Sequence, residues 1–195
     1  MARVALRSVV VPVIAAGLAF AVGRASSSGI PAALQAQRFE LVDQEGRLRA
    51  RLSADAAGPG QFALYAASGG LRASLEVGVD GNPQLCLLDQ QEITRARLSF
   101  SDETGPALML MDTRGKVRVA LAMVSDRVPS LCLADAEENR RAVLAVLEDG
   151  SPMLQILDAE GQVAAAFQAD AQGHPRAQLA YHDQVLWEQP VERPR

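Results

Sequence analysis

From Phe39 onward, apolar and polar positions follow one pattern that returns every 23 residues. Phe39-Glu40-Leu41-Val42-Asp43 is followed by Gln-Glu-Gly and then Arg-Leu-Arg-Ala-Arg-Leu. Phe62, Leu85, Leu108, Leu131 and Leu154 stand where Phe39 stands, without an insertion, and a partial seventh copy begins at Ala177. A fixed period of this length signals a repeat architecture and has to be read before any single element.

Within each copy, positions one and three are apolar: Phe39/Leu41, Phe62/Leu64, Leu85/Leu87, Leu108/Leu110, Leu131/Leu133 and Leu154/Ile156. Residues two apart share one face of a strand, so these pairs predict a strand with an inward apolar face. The intervening residues are mixed, from Glu40 and Val42 to Met109 and Met111. A return strand follows, as in Leu71-Arg72-Ala73-Ser74-Leu75, and alternation puts the small residue and the second leucine on the same inward face. Arg49, Arg72, Arg95, Arg118 and Arg141 are expected on the other face, paired across strands with Glu40, Glu76 and similar residues.

The two strands of a unit are joined by D-x-x-G. Position five is Asp43, Asp89, Asp112, Asp135 or Asp158, and position eight is Gly46, Gly69, Gly115 or Gly161. An Asp carboxylate accepts a backbone N–H two residues on, and Gly supplies the positive φ that closes a tight reversal. Ala66 replaces the aspartate in copy two, and Glu92 and Glu138 replace the glycine in copies three and five. Looser or different turns are expected there. A second connection, such as Gly81-Asn82-Pro83 or Gly173-His174-Pro175, ends in a proline that suits a strand entrance.

This grammar predicts an all-β protein of about 12 strands from six units. The first expectation is an antiparallel meander, curled into a barrel or packed on another sheet, because one apolar face must leave water. The alternative is a β-solenoid with one unit per coil. Pairs of units could also form propeller blades, although three blades fall short of the usual four. The turn pattern from Asp43 to Gly161 resembles the hairpin repeats of bacterial cell-surface and fibre proteins, including tyrosine–aspartate-type repeats. Their recurrent tyrosines are absent, so the resemblance implies a turn type and no function.

The N-terminus is of another kind. Arg3 and Arg7 precede an apolar run over 8–23, followed by Arg24 and small residues. Sixteen residues make about 24 Å of helix, somewhat short of a hydrocarbon core of about 30 Å. Residues 1–30 therefore read as a signal anchor or a cleaved signal peptide, and 31–38 as a linker or short helix. The basic flank places the repeats outside the cytoplasm, membrane-anchored, or secreted or periplasmic after cleavage. Residues 39–180 carry the repeats and the start of the seventh; 181–195 read as a terminal cap, with Trp187 over the last layer, and a frayed tail.

Composition narrows the chemistry. Apolar residues make up 49% and aromatic residues 4% of the 195, with a net charge of -4. An acidic chain with few aromatic platforms is not expected to bind nucleic acid. His174 and His182 are the only histidines, and neither sits in a metal-ligand pattern. Cys86 and Cys132 occupy one repeat position two units apart, too far for a disulfide within a chain, and are expected reduced and partly buried. The aspartates are spaced for turn capping rather than for calcium. No nucleophile elbow, phosphate loop or dinucleotide fingerprint occurs. No catalytic residue, metal or cofactor is assigned. The expected role is structural or assembly-forming, through a homo-oligomer or a protein partner. The alternatives are a binding module with the arginines as a candidate stripe for an anionic polymer, and an enzyme whose site would converge near His174 or His182.

Overall fold

A computed structural model describes residues 35–54, 60–125, 127–182 and 184–190. The expected leader lies in 1–34, outside the described residues. Fourteen strands follow one another: β1 (Arg38–Val42), β2 (Leu48–Ala54), β3 (Gly60–Tyr65), β4 (Leu71–Val77), β5 (Pro83–Leu88), β6 (Thr94–Ser101) and β7 (Gly105–Met111). The second half comprises β8 (Val117–Val124), β9 (Val128–Ala134), β10 (Arg140–Val146), β11 (Pro152–Leu157), β12 (Val163–Ala169), β13 (Pro175–Tyr181) and β14 (Gln184–Pro190). All fourteen form one antiparallel sheet in sequence order. Successive strands pair antiparallel, which replaces the solenoid alternative and the division into blades. Residues 184–190, read from the sequence as cap and tail, form β14 and complete a seventh hairpin with β13.

The sheet does not close into a barrel: β1 pairs only with β2, and β14 only with β13. The register explains why. Leu52 pairs with both Phe39 and Phe62, and Leu75 with both Phe62 and Leu85. The rows of equivalent residues thus run straight across the strands and accumulate no stagger. Closure requires a tilt and a net shear, which this register does not supply.

Each unit contains two kinds of hairpin. At the aspartate turns, Gly46 donates its N–H to the Asp43 carbonyl at 3.0 Å, and Asp43 donates to the Arg47 carbonyl at 3.0 Å. This is a three-residue loop with the left-handed residue at Gly46, φ 78°. The register then slips by one: Leu41 pairs with Ala50, but Val42 pairs with Leu48. Arg49 is the extra residue of a β-bulge. The slip recurs at Arg72, Arg95, Arg118 and Arg141, then at Ala164 and Leu186. The proline-end pairings, such as β4–β5 and β12–β13, show no slip. The odd unit length of 23 follows. Two strands and two such loops return a residue to its own face after an even number, and the bulge adds one.

The departures in copies two, three and five do not loosen their turns. Glu92 and Glu138 adopt φ of 60° and 69°, and each donates its N–H to the turn aspartate's carbonyl as the glycines do. Gly69 closes the copy-two turn on the Ala66 carbonyl at 3.0 Å, without a carboxylate beneath it. The flanking ladders impose the loop, and the side chain adapts.

Candidate interaction face

The register sorts the side chains of the sheet into three apolar rows on one face. The middle row runs Phe39, Leu52, Phe62, Leu75, Leu85, Leu98, Leu108, Leu121 and onward to Phe167. The row toward the aspartate turns alternates large and small: Leu64, Ala73, Leu87, Ala96, Leu110, Val119, Leu133, Ala142, Ile156 and Ala165. The row toward the other rim sets Pro83, Pro106, Pro129 and Pro152 beside Val77, Phe100, Met123 and Val146. Trp187, opposite Leu179, ends the turn-side row on β14.

This face is not hidden within the chain. Leu87 is 50% exposed, Leu110 43% and Leu133 43%. The expectation of a common interior is therefore corrected for the single chain. A straight-register meander folds no second layer over itself, and among the described residues no other element covers the rows. Three rows about 6.8 Å apart across strands about 4.8 Å apart amount to about 1,300 Å². The largest apolar patch on an ordinary monomer is about 300–600 Å². Shallow grooves of about 310 and 290 Å³ repeat along the proline side. One is lined by Leu75, Pro83, Leu98 and Phe100, the next by Leu98, Pro106, Leu121 and Met123, one repeat further on.

The opposite face covers itself. Its middle row runs Glu40, Arg51, Ala63, Ser74, Cys86, Arg97, Met109, Ala120 and Cys132. The small residues are the buried ones: Ala63 is 0% exposed and Ala166 5%. Long neighbours lie over them, with the Arg51 guanidinium 5.7 Å from the Tyr65 ring centroid. Glu76 accepts from the side-chain amide of Gln61 at 2.9 Å and from that of Gln84 at 2.5 Å. Glu76 is thus not a partner of the arginine row, as the sequence suggests, and Glu40 pairs instead with Arg38 at 3.3 Å. Both cysteines are free; Cys86 is buried and Cys132 half-buried.

The arginines of the candidate stripe lie along the aspartate-turn rim because the bulge carries them there. Arg49 approaches Asp43 at 3.6 Å, Arg95 approaches Asp89 at 3.4 Å, Arg118 approaches Asp112 at 3.8 Å, and Arg141 reaches Asp135 at 2.5 Å. Each also reaches onward where the next turn presents a carbonyl. Arg95 and Arg118 donate to Met111 and Ala134 at 2.9 Å, while Arg72 and Arg141 donate to the carbonyls of Asp89 and Asp158. Every bulge arginine from Arg72 to Arg141 therefore ties its hairpin to the following one.

The turn aspartates act as internal caps. The Asp135 carboxylate accepts the N–H groups of Glu137 and Asn139 at 3.0 and 2.9 Å. Partial desolvation pushes its pKa up, but the Asn139 and Arg141 side chains and these N–H groups outweigh it and hold the pKa at about 2. Asp43 is also lowered, first by the Arg47 N–H. Asp89 and Asp112 end below the ordinary range as well, although desolvation opposes the hydrogen bonds in each. At Asp158, the Glu160 and Gln162 N–H groups donate to the carboxylate at 3.0 and 2.8 Å.

Sequence reasoning missed the use made of the two odd glutamates. Glu92 accepts the Leu71 N–H of the preceding hairpin at 3.1 Å. Glu138 accepts the Val117 N–H at 3.0 Å and pairs with Lys116 at 2.7 Å. The only signal was their place at a glycine position. The proline rim differs in charge: among the described residues of its loops and strand ends, Asp80, Asp102, Glu103, Glu148, Asp149 and Asp170 stand there against Arg127 and Arg176, the latter paired with Glu188.

Near His174, a cavity of about 370 Å³ is lined by Asp149, Ser151, Asp170 and Arg176. His174 Nδ1 lies 2.8 Å from Asp170, while Ser151 donates to Asp149. Each is thus paired within its own turn, and no serine–histidine relay is assembled. His182 lies against Tyr181, with ring centroids 4.0 Å apart. Among the described residues, no group of three or more His, Cys, Asp or Glu is placed to hold a metal ion. No helix among them is long and apolar enough to cross a membrane.

No family model matches this chain. No curated protein matches it either. Among solved structures, the chain is similar to the TCP domain of SAS-4 (dCPAP) of Drosophila melanogaster, solved in complex with a proline-rich motif of Ana2 (dSTIL). The match covers 86% of this chain and 97% of that one, at 10% identity and a TM-score of 0.35.

Proposed function

We propose that this chain is a non-enzymatic structural protein that works by assembly, with the leucine face as its assembly surface. The observation that carries the reading is a charge-free apolar face spanning the sheet and left open to water. Apolar surface of this extent drives association, because covering it removes it from water. The rim arginines support the same reading over an anionic-polymer stripe, since they are engaged by turn aspartates and carbonyls. The basic, apolar N-terminal segment supports a setting at or beyond a membrane, as an anchor or after export.

The test is energy transfer between donor- and acceptor-labelled copies of the full chain in phosphatidylcholine vesicles. Transfer above the level of randomly distributed labels is expected, and Leu121→Asp, in the centre of the face, should abolish it. Equal transfer in wild type and variant would overturn the proposal.

A further inference from the structure

We infer that the leucine face is covered by a second copy of this chain, packed face to face about a twofold axis that lies in the sheet plane and runs across the strands. In this arrangement each strand lies over its own counterpart, run in reverse. The inference rests on the assembly reading above and names its partner.

Three observations select this occupant. The first is size. Two faces of about 1,300 Å² would bury about 2,600 Å², above the 1,200–2,000 Å² of a standard interface and within the range of obligate dimers. The second is shape. The even-numbered strands β4, β6, β8 and β10 each set a smaller residue at the aspartate rim, leucine in the middle and a larger residue at the proline rim: Ala73-x-Leu75-x-Val77, Ala96-x-Leu98-x-Phe100, Val119-x-Leu121-x-Met123 and Ala142-x-Leu144-x-Val146. Reversing such a strand over itself sets its small end on its large end and leucine on leucine. A twofold interface needs this self-complementarity, and two sheets about 10 Å apart need interdigitating side chains.

The third observation is charge. The proline rim is acidic, whereas the aspartate rim mixes aspartates and glutamates with the bulge arginines, Arg47, Arg114 and Lys116. An axis across the strands lays the acidic rim over the mixed rim. A twofold axis along the strands would instead lay acidic rim on acidic rim, at a separation near one Debye length, where like charges still repel. No charged side chain stands in the three rows from β2 to β13, so the faces themselves offer no repulsion.

The experiment uses the full chain in phosphatidylcholine vesicles with one spin label per copy. Cys86→Ala and Cys132→Ala remove the native thiols, and Gln178→Cys places the label on β13, on the face away from the leucines. Strand over like strand keeps the two labels within roughly 30 Å, since the sheets are about 10 Å apart. The axis along the strands would put β13 over β2, a lateral offset of roughly 53 Å at about 4.8 Å per strand. Edge-to-edge joining of β14 to β1 would separate equivalent labels by roughly 67 Å on the same spacing. Either long distance, or no dipolar signal, overturns the inference.

A swap gives a second readout. Ala96 and Phe100 lie four residues apart on one strand face, too far to touch each other within a chain. Across the axis they meet. Phe100→Ala and Ala96→Phe should each raise the protein density needed for half-pairing by about tenfold, and the double variant should return to within about threefold of wild type. Failure of the double variant to recover overturns the face pairing. If Leu121→Asp still abolishes energy transfer while the label distance is long, the assembly reading stands and this geometry falls. If Leu121→Asp changes nothing, both fall.

Discussion

The two faces of this sheet share the same strands, the same ladder and the same turns, yet they solve burial in opposite ways. On the face carrying Arg51, Ala63, Ser74 and Arg97, long side chains flank runs of short ones, and Ala63, Ser74, Cys86 and Ala166 are buried beneath their neighbours. On the face carrying Leu64, Leu75, Leu87 and Leu98, every row is apolar and no long polar side chain lies over it, so the leucines stay about half-exposed within the chain. A single layer can therefore finish one of its faces alone. The other stays open to water within one chain, and under the assembly proposed above this difference separates substitutions that act on folding from those that act on association.

The largest effect is expected at the centre of the leucine face. Leu121 is half-exposed in the single chain, so Leu121→Asp should leave the dissociated chain folded and forfeit only the stability that association adds. A carboxylate enclosed without a partner should weaken association by at least about 100-fold. A variant that unfolds instead of dissociating would break the contrast between the faces. On the other face, Ala63→Leu should do the reverse. Ala63 is fully covered, and overpacking it should cost about 1–2 kcal/mol in chemical denaturation while leaving association unchanged.

The rim that joins the two faces should respond more modestly. Gly115 sits at φ +76°, so Gly115→Ala should destabilise by about 1 kcal/mol, whereas Gly60→Ala, without positive φ or a near neighbour, should be neutral or slightly stabilising. The smallest effect is one of pH. The folded pKa of Asp135 is about 2, below its ordinary 3.8. A depressed carboxylate pKa contributes stability above the unfolded value and loses it as pH falls through the folded one. The melting temperature should therefore fall as pH drops from about 4 to 2, and Asp135→Asn should flatten that slope. A profile unchanged by the substitution would mean that Asp135 does not hold its turn.

Much of the fold was legible because hairpin chemistry is local. Asp43, Gly46 and the strand-entry prolines specify reversals within a few residues, and two-residue alternation specifies which side chains share a face. The bulge was not legible. Arg49 reads as an ordinary alternating residue until the register shows Val42 opposite Leu48, and only then does the arginine row move from the sheet face to its rim. Glu92 and Glu138 were misread for a related reason: their partners, the Leu71 and Val117 N–H groups, lie in the preceding hairpin.

The sequence by itself determined the unit, the reversal points and the identity of two of the three apolar rows, because these depend on contacts between near neighbours in the chain. Only the tertiary structure decided that the rows run straight, that the sheet stays open, and that the leucines remain in water within one chain. Those outcomes depend on the sum of register shifts over fourteen strands. That sum is a property of all the pairings together, and no single repeat contains it.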